Sequence, residues 1–111
     1  MQMQVYYQGM DVSPALDDFM MEKLGKIKRF LAVSSPVQVY IKQDSKDIFS
    51  VSLVAHAFHK DFSFHAKGVN IYEVFANALE KAQRVLGEEK RQLKDKINRK
   101  FRPLKNAELA S

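Results

Sequence analysis

The chain has 111 residues and no cysteine, and its Lys and Arg outnumber its Asp and Glu by five. This length, with 46% apolar and 28% charged residues, indicates one folded domain with a modest core. The lack of cysteine excludes disulfides and thiolate metal sites, and no apolar run could span a bilayer. We therefore expect a cytoplasmic protein without a membrane partner.

A strand and a helix are predicted at the start of the chain. Residues 1–9 alternate between apolar and polar types, which is typical of a strand with one buried side. Ser13 followed by Pro14 predicts a helix start, because the serine oxygen can accept a free backbone N–H and proline fits the first helical position. This helix is expected to run to about Phe30. Its buried side is predicted to contain Leu16, Phe19, Met20, Leu24 and Ile27.

Three further strands follow a break at residues 34–36. Alternation predicts strands over residues 37–42, 48–58 and 62–67, joined by turns. In the third strand, Val51, Leu53 and Ala55 are predicted to share one face, and Ser50, Ser52, Val54 and His56 the other.

Residues 71–100 form a long predicted helix, which Asn70 can cap. At about 1.5 Å per residue it would span roughly 45 Å, longer than a domain of this size needs. Its far end should therefore overhang the body. The apolar side is formed by Ile71, Phe75, Ala78, Leu79, Ala82, Leu86, Leu93 and Ile97. We expect residues 1–101 to form the functional domain and residues 102–111 a flexible C-terminal tail.

The element order is therefore β-α-β-β-β-α, which predicts the α+β class. Three hairpin-linked strands and a first strand joined through a helix favour a four-stranded sheet with two helices packed on one face. The other face of the sheet would be open and would display Tyr6, Tyr40, Lys42 and some of the His and Ser residues, or their neighbours along each strand if the register is shifted by one residue.

Positive charge is concentrated in the second helix. Residues 81–105 contain ten Lys or Arg and three Asp or Glu, an excess of seven, so the remainder of the chain sums to −2. Such a local excess is typical of a polyanion-binding surface, although a solvated helix face gives the same composition. Cations on both helices would form one continuous band that neutralises the phosphates of structured RNA.

Catalysis and metal binding have weaker support in the sequence. His56 and His65 could face each other across the last hairpin, and Asp61 is the nearest candidate for a further metal ligand. A polar strand face is the favoured interpretation. Since the chain shows no phosphate-cradling loop, paired carboxylates or nucleophile motif, we interpret it as a non-enzymatic protein without cofactor, metal or small-molecule substrate.

The chain resembles the ribosome hibernation-promoting factors, also known as the protein Y or ribosome-associated inhibitor family. The match is carried by Ala15-Leu16, by residues 23–27 (KLGKI), by residues 64–72 (FHAKGVNIY) and by the basic helix after Lys81. The sequence departs from the family pattern at Ala76, at Val85 and at Glu88-Glu89, where the family usually has an acid, a glutamine and a more basic stretch.

The resemblance implies a fold similar to a double-stranded-RNA-binding domain and a short form without the separate dimerisation domain. It implies binding to the small ribosomal subunit and its rRNA in the decoding region, which excludes mRNA and tRNA under stress or in stationary phase. A ribosome modulation factor is a further candidate partner. The implied RNA contacts are Lys23, Lys26, Lys28, Lys81, Arg84, Lys90, Arg91 and Lys94.

Two alternatives stay open at this point. One is a module that binds structured RNA away from ribosomes. The other is a protein-interaction domain that dimerises through the open face of the sheet.

Overall fold

The structure, a computed structural model, describes residues 2–31 and 35–110, with side chains described as far as residue 98. Five of its elements form the body of the fold around one sheet. They are β1 (Met3–Gln8), α1 (Pro14–Leu24), β2 (Val37–Ser45), β3 (Ile48–Ala57) and β4 (Lys60–Gly68). A short 3-10 helix (Lys28–Phe30) follows α1, and α2 (Ile71–Ala110) closes the chain.

The four strands form one sheet in the order β1-β2-β3-β4. β1 runs parallel to β2, and the other neighbours are antiparallel. The predicted α+β class, element order and four-stranded sheet with two helices on one face are confirmed.

Alternating burial shows which face of the sheet carries the core. Val39, Val51 and Leu53 are at most 1% exposed and pack against the helices. Tyr6 and Tyr40 lie on the opposite face and are 47% and 42% exposed. The predicted sides of the strands are therefore confirmed.

The first helix starts where predicted but ends earlier. Ser13 Oγ accepts the backbone N–H of Leu16 at 3.2 Å, and Pro14 opens the helix. The expected end at Phe30 is wrong, because α1 stops at Leu24. The chain continues in tighter turns, in which a backbone N–H donates to the carbonyl oxygen three residues earlier, as from Ile27 N to Leu24 O at 3.1 Å. Glycine at position 25 weakens the α-helix there. Ile27 and Phe30 nevertheless reach the core.

The second helix is capped as predicted and leaves the body after Leu86. Asn70 Oδ1 accepts the N–H of Tyr72 at 3.0 Å. Leu86 is fully buried, whereas Leu93 and Ile97 are 46% and 49% exposed, so the predicted overhang is confirmed. The buried side is formed by Val74, Phe75, Ala78, Leu79, Ala82 and Leu86.

The helix continues to Ala110 rather than ending at Lys100 as predicted. The side chains of Arg99, Lys100, Arg102 and Lys105 lie outside the described residues. The division into a domain of residues 1–101 and a flexible tail of residues 102–111 stays a prediction.

Two leucines of α2 test where the body ends. Leu86→Ala removes a fully buried side chain and is expected to cost about 3 kcal/mol of the free energy of unfolding. Leu93→Ala makes the same change on the overhang and should cost less than ~1 kcal/mol. Urea unfolding of both variants measures the difference, and equal losses would show that the overhang is packed in solution.

A tyrosine of β1 ties the sheet to α1. The hydroxyl of Tyr7 donates to Asp17 Oδ1 at 2.6 Å, and it lies 3.2 Å from the carbonyl oxygen of Ser13. Burial of the phenol and its hydrogen bond to Asp17 raise the pKa of Tyr7 to about 12. The neutral phenol is therefore the form that the fold stabilises.

Tyr7→Phe tests this contact through pH. The phenol has a pKa of 10.0 when free and about 12 in the fold, so its contribution to stability is present below pH 10.0 and is lost as the pH rises to about 12. The variant is compared with the wild type at each pH, so that effects of pH common to both proteins cancel. We expect wild type to lose more stability than Tyr7→Phe over this range in urea unfolding.

Tyr40→Phe is the control, because it removes an exposed hydroxyl that donates to the exposed side chain of Gln38. Parallel pH curves for wild type and Tyr7→Phe would contradict the role given to Tyr7.

Candidate nucleic-acid interface

Two open grooves follow the sides of α2. One lies between α2 and β4, and the other between α2 and α1. Glu80 lines both grooves, so it lies on the solvent-facing side of α2 between them, here named the crest of the helix. The groove beside β4 is lined by Ala66, Lys67, Asn77, Glu80, Lys81 and Arg84. The groove beside α1 is lined by Phe19, Lys23, Lys26, Ala76, Leu79, Glu80 and Gln83.

Three cations, here named the β4 flank, surround the first groove: Lys67, Lys81 and Arg84. Lys81 and Arg84 are one helical turn apart and emerge on the same side of α2. Lys81 Nζ donates to the carbonyl oxygen of His65 at 2.6 Å, which holds the ammonium against the edge of the sheet. Lys67 Nζ lies 3.7 Å from Asp44, a carboxylate that also lies 3.6 Å from Lys42.

Asp44 is exposed, and its partners keep it ionised. The hydroxyl of Ser50, followed by the nearby lysines, lowers the pKa of this carboxyl below its usual value. Lys67 is therefore partly neutralised by Asp44, whereas Lys81 and Arg84 have no ion pair within the described residues.

Four cations, here named the α1 flank, follow the other side of α2: Lys23, Lys26, Arg29 and Lys90. Lys23 Nζ lies 5.6 Å from the centroid of the Phe19 ring, and this ring packs edge-on against Tyr72 at 4.9 Å. Lys23 is thus held by aromatic packing. Lys26 is exposed and lines the groove.

Phe30 brings cations from two elements together. Its ring is 6% exposed, and Arg29 Cζ and Lys90 Nζ lie 4.7 Å and 5.8 Å from its centroid. Arg29 comes from the 3-10 helix and Lys90 from the beginning of the overhang, so a single buried ring holds two charges from distant parts of the sequence close to it.

Acidic residues modify the charge at the base of the overhang. Arg91 Nε donates to Glu88 Oε2 at 3.1 Å, and this pairing lowers the pKa of Glu88 and raises that of Arg91. Arg91 Nη1 also lies 3.9 Å from Asp95. Glu89 lies 3.6 Å from Lys60 and ties the helix to the start of β4. These exposed pairs contribute little to stability, but they offset the charge of Arg91.

The eight residues predicted to contact RNA therefore do not share one surface. Lys81 and Arg84 lie on the β4 flank, and Lys23, Lys26 and Lys90 lie on the α1 flank. Lys28 and Lys94 are exposed, and Arg91 is engaged by acids. The single continuous band expected from the sequence is wrong, because the cations emerge on two sides of α2 with Glu80 between them. RNA contact by each residue stays a prediction.

Sequence reasoning left two flank cations out of the predicted contacts. Arg29 was indicated only by its place in a run of positive charge near the end of the first helix. The side of β4 on which Lys67 lies follows from the strand alternation. Its position beside Lys81 depends instead on how α2 crosses β4.

The histidines on the open face are arranged differently from the expectation. His56 lies opposite Asp61 and bonds to it at 2.8 Å, while His65 lies opposite Ser52 and bonds to it at 2.8 Å. The two histidines do not face each other. Among residues 2–31 and 35–98, no group of three or more His, Cys, Asp or Glu could hold a metal ion.

Within the described residues, no helix is both long and apolar enough to cross a membrane.

Known proteins share this fold. A ribosomal subunit interface protein from Coxiella burnetii superposes with a TM-score of 0.68 at 22% identity, covering 81% of this chain and 98% of that one. The N-terminal domain of Protein Y from Thermus thermophilus gives a TM-score of 0.68 at 10% identity, covering 78% and 96%. A comparison with curated proteins finds no match.

The sequence itself matches a known family over most of its length. The family described as Sigma 54 modulation protein / S30EA ribosomal protein matches residues 3–104. The resemblance to the hibernation-promoting factor and protein Y family is confirmed, and the chain belongs to the Sigma 54 modulation protein / S30EA ribosomal protein family.

Proposed function

We propose that this protein binds the small ribosomal subunit and its rRNA and inhibits translation by occupying the decoding region, where it excludes mRNA and tRNA. Membership of the S30EA family and the shared fold with a subunit interface protein support ribosome binding. The observation that carries the proposal is the gathering of cations from α1, the 3-10 helix and β4 along the two sides of α2.

The two flanks place positive charge on opposite sides of α2. Lys81 and Arg84 face one side, and Lys23, Lys26 and Lys90 face the other, with the crest at Glu80 between them. A helix charged in this way fits between two phosphate backbones, because each flank neutralises one backbone and the acidic crest points between them. Such contacts recognise the shape of folded RNA rather than its base sequence.

The remaining predicted contacts extend this surface. Lys28 and Lys94 are exposed beyond the grooves and can reach phosphates further along each backbone. Arg91 must give up its carboxylate partners Glu88 and Asp95 to bind phosphate. Its contribution to RNA affinity is therefore smaller than that of a cation without such partners.

Inhibition in this proposal is steric and requires no chemical step. The protein and the mRNA–tRNA complex compete for one space, so no cofactor or small-molecule substrate takes part. Net affinity derives from counterion release and therefore depends on salt.

Removing charge from each flank tests the binding surface. The double variants Lys81→Gln/Arg84→Gln and Lys23→Gln/Lys26→Gln each remove two predicted phosphate contacts. We expect each to weaken co-sedimentation with small ribosomal subunits by roughly tenfold or more and to reduce the slope of log affinity against log salt by about 2. Stability should change little, because Lys26, Lys81 and Arg84 are exposed and, among the described residues, the half-buried Lys23 contacts only the Phe19 ring with its ammonium group.

The matched control is Lys42→Gln/Lys46→Gln, which removes the same charge from the open face and the β2–β3 turn. This control should bind like wild type. If all three variants weaken binding equally, net charge rather than the flanks governs affinity, and the assignment of the flanks fails.

Occlusion of the decoding region is tested by competition. Subunits loaded beforehand with mRNA and tRNA are expected to bind at least about tenfold less protein than empty subunits, since the two occupy the same space. Binding that is equal on empty and loaded subunits would contradict occlusion. Preference for free duplex RNA over subunits would instead support the alternative of an RNA module acting away from ribosomes.

A further inference from the structure

The two edges of the sheet differ in how they are protected against pairing with another strand. β4 carries Lys60, Asp61 and Lys67, and Lys81 from α2 donates to its carbonyl at His65. Charges and covered backbone groups of this kind keep an edge from pairing. β1, with the sequence MQVYYQ, has no charged residue and no proline, and it pairs with β2 in an unbroken register without a bulge.

The outer side of β1 presents regular backbone groups. Val37 N donates to Gln2 O at 2.8 Å, so the even-numbered residues of β1 turn their backbone groups toward β2. Because these groups alternate along a strand, the N–H and C=O of Met3, Val5 and Tyr7 point away from the sheet. Within the described residues, no strand pairs with this side.

The side chains of β1 are also incompletely covered. Met3, Val5 and Tyr7 face the helices but are only partly buried, whereas Val39 and Leu53 of the inner strands are fully buried. On the open face, Tyr6 stacks on Tyr40 with ring centroids 4.9 Å apart and planes 14° apart. Tyr6 is the outer ring of this pair and is 47% exposed.

We propose that two copies of this chain pair through β1, antiparallel about a two-fold axis at Tyr6, to form a continuous eight-stranded sheet. In this register Val5 exchanges backbone hydrogen bonds with Tyr7 of the partner subunit. Tyr6 lies opposite Tyr6 of the partner subunit and extends the stack from two rings to four. Both copies keep their helices on the same face.

The chemistry of β1 favours a second copy of this chain as the partner that pairs with its free edge. A strand that pairs with itself about a two-fold axis places identical side chains close together, so any charge on it would be repelled by its own copy. β1 carries none. The partly exposed Val5 and Tyr7 would meet their counterparts on the helix side, which buries apolar surface that the single chain leaves uncovered.

The size of the contact sets its strength. Six residues from each chain form a smaller interface than the roughly 1,600 Å² of a standard stable complex. The dimer is therefore weak and forms with rising protein concentration. Because β1 is uncharged, high salt does not weaken its association, in contrast to phosphate binding by the flanks.

Sedimentation equilibrium of the full chain tests the dimer, with Tyr6→Lys and Tyr40→Lys as matched variants. Both variants remove one ring of the stack and add one positive charge, but only Tyr6→Lys places two cations against each other at the axis. We expect wild type and Tyr40→Lys to dimerise over micromolar to millimolar concentrations, and high salt should not reduce this association. Tyr6→Lys should associate at least about tenfold more weakly.

A cross-link tests the register directly, because the chain has no cysteine of its own. Opposite residues at non-hydrogen-bonded positions of antiparallel strands have Cα atoms about 4.5 Å apart, which suits a disulfide. Tyr6→Cys is expected to give a disulfide-linked dimer on mild oxidation, and Tyr40→Cys is not. The proposal would be overturned by a wild type that stays monomeric at all concentrations or that loses its dimer in high salt. It would also be overturned if Tyr6→Lys associates as well as wild type, or if both cysteine variants cross-link equally.

Discussion

The packing of one side of α2 against the sheet and α1 fixes the rest of the charged surface. Phe75 and Leu86 are fully buried eleven residues apart, three turns along the helix, and they set its rotation about its own axis. With that side buried, Lys81 can emerge only toward β4 and Lys90 only toward Phe30. A rotation by one residue would bury charge and expose the core, so the positions of the cations follow from the apolar residues.

This constraint explains why the charge lies on two flanks rather than in one band. A count of Lys and Arg along the sequence gives the amount of charge but not the side of the helix on which each side chain emerges. Residues three or four apart share a side, so Lys81 and Arg84 stay together, while Lys90 falls on the side of α1. Phe30 contacts both Arg29 and Lys90, and these contacts between distant segments depend on the tight turns after Leu24.

Much of the fold could be predicted because it follows from local rules. Alternation gave the strand sides, and Ser13 and Asn70 gave the helix starts. The end of α1 could not be predicted from apolar spacing, since Ile27 and Phe30 keep a helical spacing although the backbone has left the α-helix. The pairing of His56 was missed because the turn before β4 is formed by Phe58 and His59 with φ of 53° and 62°. A left-handed phenylalanine is uncommon, and nothing in the local sequence indicates it.

The cationic flanks and the uncharged edge occupy separate parts of the molecule. Both flanks adjoin α2, which lies against β3 and β4, whereas β1 is the strand at the far edge of the sheet. On the open face, Asp44 offsets the charge of Lys42, and it also offsets part of the charge that Lys67 brings to the β4 flank. A strand added to β1 would therefore leave both flanks accessible, and phosphate on the flanks would not change the charge of the edge. The same small sheet can thus support an electrostatic surface and a backbone-pairing surface, because each depends on side chains that the other does not use.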